Sequence, residues 1–329
     1  MKKKNKYFMA AYWAAVCTII FAGCANKHST EEKIMMENQK ELDEEKMEKP
    51  EMESGSDIME TDAGYSAEIM ETEPEIVDAE WSEYFRGLNG TAVLYDVTNR
   101  QYIIFNEELA STRRSPCSTF KIISSLIALE NGIFEPEDST REWSGEVFWN
   151  EDWNKDIDFG EAFRTSCVWY YRQVADDIGK DRMQKELDKL QYGNCDISDW
   201  EGRLNTNNNN RALTGFWLES SLMISPKEQV EVMERIFGEN SEYSEDTRSE
   251  LKRVMLVSDP DRPDMTIYGK TGMGKAEGAV VDAWFTGFAE SAEGNIYFCV
   301  HLGRTDGMNV SSPLAKEIAV RLVSDYCVW

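Results

Sequence analysis

Histidine is nearly missing from this chain: only His28 and His301 occur in 329 residues. A metal centre built on several histidines is thereby disfavoured, since zinc sites draw on three or four nitrogen and sulfur ligands. The seven cysteines contain no Cys-x-x-Cys pair, so a zinc knuckle has no support either. Basic residues are scarce: 35 Lys and Arg face 61 Asp and Glu, a formal net charge of −26. A nucleic-acid binder needs a basic face, which this balance denies. The apolar run over residues 8–21 falls short of the ~20 residues of a spanning helix. No repeat of solenoid period appears.

The charge is uneven. Residues 1–24 hold four lysines and no acid, residues 25–78 carry −13, and residues 79–329 carry −17. Lys2, Lys3, Lys4 and Lys6 before an apolar run have the layout of a secretory signal. Phe21-Ala22-Gly23-Cys24 resembles a bacterial lipobox, with Phe in place of the usual Leu. That resemblance implies a signal peptide at 1–23 and lipidation of Cys24. The chain is then expected to be exported and lipid-anchored on the outer face of the cell membrane; an uncleaved anchor is the other reading. Residues 24–78 are rich in Glu, Lys, Met and Ser and lack a sustained apolar stripe, which predicts a disordered acidic tether. It is either a spacer off an anionic surface or a plain solvated linker. Residues 79–329 are long enough to bury a full core and are expected to form the catalytic domain.

Within that domain, alternation predicts strands at 91–97 and 101–106, joined by a turn at Thr98-Asn99-Arg100. Helical spacing marks 118–130, 161–178, 182–190 and 225–237. Strand-like runs follow at 265–270, 279–289 and 295–302, then an amphipathic helix at 313–325. Strands at both ends with helices between predict an α+β fold: an antiparallel sheet flanked by terminal helices, plus a helical region. Five cysteines fall here, Cys117, Cys167, Cys195, Cys299 and Cys327. Disulfides are allowed outside the cytoplasm, yet an odd number leaves at least one free thiol. Oligomeric state stays open.

Two short motifs carry candidate chemistry. Ser118-Thr119-Phe120-Lys121 opens an apolar helix after Pro116. Spacing i,i+3 places hydroxyl and amine on one helical face. Serine needs a base to take its proton, and a lysine serves if burial lowers its pKa. The helix N-terminus adds a backbone N–H for an oxyanion. Lys270-Thr271-Gly272 ends a β-like run between Gly269 and Met273-Gly274. Glycines on an edge strand let a substrate lie close, while lysine offers charge and threonine a hydroxyl. Either motif alone is common by chance. Between them stands Ser166-Cys167-Val168. His28 lies in the tether and His301 between Val300 and Leu302, so a Ser-His-Asp triad is disfavoured and a lysine base is the economical choice. His301 reads as structural.

In this order, S-x-x-K, the serine turn and K-T-G resemble the active-site set of penicillin-recognising serine enzymes. Ser-x-Val in place of Ser-Asp-Asn points away from class A. Tyr192-Gly193-Asn194 and Phe216-Trp217-Leu218-Glu219, followed by Leu222 and Ile224-Ser225-Pro226, complete a resemblance to class D serine β-lactamases over about residues 80–325. Asn309-Val310 and Ala315-Lys316-Glu317-Ile318 resemble the Gram-positive branch and its related β-lactam sensor domains.

The resemblance implies the serine β-lactamase/penicillin-binding-protein-like fold and small-molecule β-lactam substrates. It implies that Ser118 is acylated and that Lys121, N-carboxylated by CO2, is the general base of acylation and deacylation. Phe120, Val168, Trp217 and Leu218 would form the apolar pocket, with the Trp217 N–H on the carbamate. Ser166 would pass the proton to the β-lactam nitrogen and Lys270 would polarise Ser166. Thr271 would hold the substrate carboxylate, with Gly272, Met273, Val168 and Leu218 beside the substrate. The N–H groups of Ser118 and Met273 would form the oxyanion hole. Tyr192-Gly193-Asn194 would shape the loop below the site. Neither a metal nor a diffusible cofactor is implied beyond CO2 or bicarbonate. Many class D enzymes place an arginine after the last strand; here Arg304 comes early and Ser312-Pro313 takes that place, so Arg304 is left out. Cys117 and Cys167 read as packing residues, with a redox-labile pair as the alternative.

Three functions compete: β-lactam hydrolysis, a sensor domain that acylates without turnover, and a cell-wall DD-peptidase. Sensors of this kind follow several membrane spans, where this chain offers one short apolar run. The Tyr-Gly-Asn and Phe-Trp-Leu-Glu segments disfavour the peptidase.

Overall fold

Valine, isoleucine and aromatic residues that alternate along a strand send their side chains to opposite faces. The computed structural model describes residues 73–203, 210–257 and 265–327, and its sheet follows that rule. The strands are β1 (Glu75–Asp78), β2 (Gly90–Asp96), β3 (Gln101–Phe105), β4 (Leu256–Val257), β5 (Thr266–Ala276), β6 (Ala279–Ser291) and β7 (Gly294–Gly303). They lie in the order β1-β3-β2-β7-β6-β5-β4. All neighbours are antiparallel except β1, which runs parallel to β3.

The helices are α1 (Ser82–Phe85), α2 (Glu107–Ala110), α3 (Lys121–Glu130), α4 (Phe159–Arg164), α5 (Val168–Ile178), α6 (Lys180–Leu190), α7 (Pro226–Phe237), α8 (Glu245–Met255) and α9 (Ser312–Tyr326). A 3-10 turn over Cys117–Phe120 leads into α3. On one sheet face Phe285, Phe298, Val300 and Leu302 bury against Ile318 and Leu322 of α9 and Phe85 of α1. On the other, Trp284, Phe288, Tyr297 and Cys299 join the core of the helical region. This is the expected α+β arrangement.

Three expectations shift. The signal peptide 1–23, Cys24 and the tether as far as residue 72 lie outside the described residues. The last tether residues do not: Glu75–Asp78 pair with Gln101–Ile104, so paired chain begins before residue 79. Four residues, two of them acidic, are too few to display alternation. The helix expected over 161–178 is two helices, because Ser166 adopts φ +57 between them. Helix α8 was not anticipated; its first turn is fixed by Ser244, whose Oγ accepts from Thr247 N at 3.3 Å. The anticipated start of α7 is a full capping box of Ser225 and Glu228. Among the described residues no helix is long and apolar enough to cross a membrane.

Candidate active site

The turn that carries Ser118 begins with an uncommon backbone. Cys117 sits at φ +51, a region few non-glycine residues adopt. The chain is held there by Cys117 N and Ser115 Oγ, which both donate to the Trp217 carbonyl, at 3.0 and 2.9 Å. Thr119 N and Thr119 Oγ1 then donate to Pro116 O at 3.2 and 2.7 Å. Gln229 of α7 donates to Thr119 Oγ1 at 2.9 Å from behind. Ser118 is left half-buried at the head of α3, and the next turn brings Lys121 beneath it.

Lys121 is only 1% exposed, and its Nζ donates to Ser118 Oγ at 3.0 Å. Burial strips the ammonium of water and lowers its pKa from 10.5 to about 8; the thiols of Cys167 and Cys117 oppose this only in part. The Tyr171 ring centroid lies 5.2 Å from Nζ, and its hydroxyl is shared with Ser125 Oγ at 2.8 Å.

Ser166 occupies the turn that splits the two helices. Trp153 Nε1 donates to Thr165 O at 3.1 Å and Trp169 Nε1 to Trp153 O at 3.0 Å, pinning that turn to the core. Lys270 Nζ donates to Ser166 Oγ at 2.5 Å and to Thr271 O at 3.1 Å. Its amine is held well below the ordinary lysine value, first by burial and then by repulsion from Lys121. Lys270 lies on β5, whose Gly272 packs against Pro116 and Thr119 of the nucleophile turn, so Ser118, Lys121, Ser166 and Lys270 converge although 152 positions separate the first from the last.

Strand β5 closes the other side. A Cβ on Gly272 would stand 3.0 Å from both Pro116 O and Thr119 Cγ2, so glycine lets the strand lie a few tenths of an ångström closer to the Ser118 turn than a larger residue would. Thr271 and Met273 flank this contact, half-buried and 39% exposed respectively. Among the described residues β4 pairs only with Ile267 and Tyr268 of β5, so the edge from residue 270 onward is open.

Val168 opens α5 and Leu218 follows Trp217; both are half-buried against the core. Trp217 is 1% exposed, lies nearly parallel to Phe120 at 5.9 Å and takes the Phe216 ring edge-on at 5.0 Å. Its indole Nε1 is buried without a hydrogen-bond partner among the described residues, an arrangement native proteins rarely tolerate. Tyr192 meets Phe120 edge-on at 5.5 Å. Asn194 then sutures the loop below: Asn194 N donates to Met223 O and Asn194 Oδ1 accepts from Met223 N, both at 2.9 Å.

Several residues here had no place in the sequence reading. Ser115 ties the nucleophile turn to the tryptophan loop, and Glu219 Oε1 accepts from Lys275 N at 2.7 Å. Ser115 shows in sequence only as the residue before Pro116, and Glu219 as the unassigned end of a motif. His301 is buried on Asp282 Oδ1 at 3.0 Å and on the Trp284 ring at 4.2 Å, in keeping with a structural role. Arg304 stands 3.6 Å from Asp306, largely exposed. Cys117, Cys167, Cys195 and Cys299 are free thiols. Burial pushes the Cys117 thiol up and Cys167 to about 11, which suits packing rather than thiolate chemistry.

Such a pocket offers a hydroxyl on an amine that is partly neutral near neutral pH, a second hydroxyl on a second amine, and an open strand edge. The pattern of the penicillin binding protein transpeptidase domain matches residues 90–323. The chain is 33% identical over 242 residues to the Probable beta-lactamase YbxI of Bacillus subtilis (strain 168), covering 74% of this chain and 82% of that protein. It is 30% identical over 244 residues to the Regulatory protein BlaR1 of Staphylococcus aureus, 73% of this chain but 39% of that longer protein. A crystal structure of a class D β-lactamase from Bacillus subtilis superposes with a TM-score of 0.64 at 33% identity, covering 74% of this chain and 94% of that one. The matched domain, these likenesses and the shared fold place the chain in the class D serine β-lactamase family.

Proposed function

We propose that the protein hydrolyses β-lactams through an acyl-enzyme on Ser118, with Lys121 as the seat of the base. The observation that carries this reading is the buried indole N–H of Trp217, without a hydrogen-bond partner among the described residues, on a ring stacked on Phe120, the residue next in sequence to the buried Lys121 whose amine is lowered to about 8. A neutral amine reacts with CO2, forming an N–C bond and releasing one proton; an ammonium does not. The N-carboxylated side chain supplies an anionic base beside Ser118, and Trp217 Nε1 is the donor available to hold it. Apolar walls from Phe120, Val168 and Leu218 keep the amine neutral enough to react.

Ser118 Oγ then attacks the lactam carbonyl carbon as its proton passes to that base. The N–H groups of Ser118 and Met273 receive the oxyanion. When the C–N bond breaks, Ser166, polarised by Lys270, gives its proton to the leaving nitrogen and regains one from the Lys121 base, which is thereby freed for deacylation. Thr271 holds the substrate carboxylate, and Gly272 permits its approach. Water, deprotonated at Lys121, finally cleaves the Ser118 ester.

The test is steady-state and stopped-flow penicillin hydrolysis with and without bicarbonate. Full turnover that rises with bicarbonate is expected. The likeness to BlaR1 favours one second reading, a sensor domain; a stoichiometric burst followed by a long-lived acyl-enzyme would establish it instead. The lipobox-like segment supports a further proposal, export and membrane anchoring through lipid on Cys24. Metabolic labelling with a fatty acid, lost in Cys24→Ala, checks it.

A further inference from the structure

Ser115 joins the Ser118 turn to two other segments, the Trp217 loop and β6. Its Oγ donates to Trp217 O at 2.9 Å and accepts from Glu219 N at 2.9 Å. Its carbonyl accepts from Trp284 Nε1 of β6 at 3.0 Å. Both residues it steadies are strained: Cys117 at φ +51, one position before the nucleophile, and Glu219 at φ +52, two positions after Trp217. Left-handed backbone at such residues persists only where surroundings enforce it. Ser115 is 9% exposed and lies 102 positions from Trp217 in sequence, so its hydroxyl is a buried cross-link between distant loops. Glu219 carries the link on to β5 through Lys275 N.

We infer that Ser115 is a positioning residue: its hydroxyl holds the Trp217 loop against the Ser118 turn and so sets the indole N–H over Lys121. The inference rests on the proposed carboxylation of Lys121. Without the Ser115 hydroxyl the Trp217 carbonyl keeps only Cys117 N, and the Glu219 N–H loses its acceptor inside the fold. The loop then relaxes and the indole N–H leaves its place. Acylation suffers less, because the uncarboxylated Lys121 amine stays 3.0 Å from Ser118 Oγ and can take its proton, whereas activation of the deacylating water needs the carbamate.

The experiment titrates 13C-bicarbonate into wild type, Ser115→Ala, Ser115→Thr and Ser115→Cys, reading the carbamate carbon by NMR. Thermal stability and the penicillin acylation burst are measured on the same samples. Ser115→Ala should need about tenfold more bicarbonate for half the signal with its burst retained, and Ser115→Thr should stay within about twofold of wild type, as expected for losing or keeping one buried hydrogen bond. A merely structural role would lower the melting temperature and leave the bicarbonate midpoint unmoved, which overturns the inference. If Ser115→Ala does not fold, Ser115→Cys decides: a midpoint above wild type supports the role and an equal one overturns it. A wild type that turns over penicillin with no carbamate signal overturns the reading of Lys121 itself, a failure distinct from an unmoved midpoint.

Discussion

At Lys121 burial and function pull in the same direction. The unfolded amine keeps its proton up to about 10.5, while the folded one releases it near 8. Between these values the unfolded chain binds more protons, so stability rises with pH across that window. Relative to Lys121→Met in CO2-free buffer, wild type should gain up to ~3 kcal/mol from pH 7 to pH 10.5, as urea unfolding at the two pH values will show. At constant dissolved CO2, the deacylation rate should climb through about pH 8, as single-turnover kinetics can follow. Trp217→Phe keeps a ring on Phe120 but removes the N–H. Losing one hydrogen bond to an anion should slow deacylation roughly 10–100-fold while the acylation burst remains; an unchanged deacylation rate would rule out the indole as donor. The serine–lysine pair was readable in sequence because i,i+3 spacing is local. The Ser166–Lys270 contact was reached only through motif order, and Ser115 not at all, since its partners are a hundred positions away.

Elements that end abruptly hold the site. Residues 161–178 have an almost continuous helical pattern, yet the helix breaks where Ser166 goes left-handed. Periodicity cannot report a break that tertiary hydrogen bonds enforce, here the Trp153 indole on Thr165 O. The K-T-G strand likewise extends beyond its apolar run, to Ala276, because close packing against the Ser118 turn replaces alternation as the signal. At Gly193, φ is +55 and a Cβ would stand 2.0 Å from Met223 O. Gly193→Ala should therefore destabilise the protein by about 2–4 kcal/mol and loosen the Phe120 and Trp217 stack with it; chemical denaturation and bicarbonate dependence read the two effects separately.

At the scale of the molecule, the sheet between two cores was legible because terminal strands and an amphipathic terminal helix are strong patterns. The outermost strand β1 was not, and it supplies a test. A chain beginning at residue 73 should match the full chain in stability, whereas one beginning at residue 79 should lose about 1 kcal/mol with the parallel pairing to β3, as compared by thermal unfolding. The opposite edge has a different consequence. Because among the described residues β4 pairs only with Ile267 and Tyr268, the hydrogen-bonding groups further along β5 that could receive a substrate amide could equally receive a strand from another copy. Glu219 occupies the far end at Lys275 N, leaving a gap a few residues long. A short acylating amide needs no more than such a gap, so the Glu219 clasp that steadies the pocket also shortens the stretch of edge on which a second copy could pair.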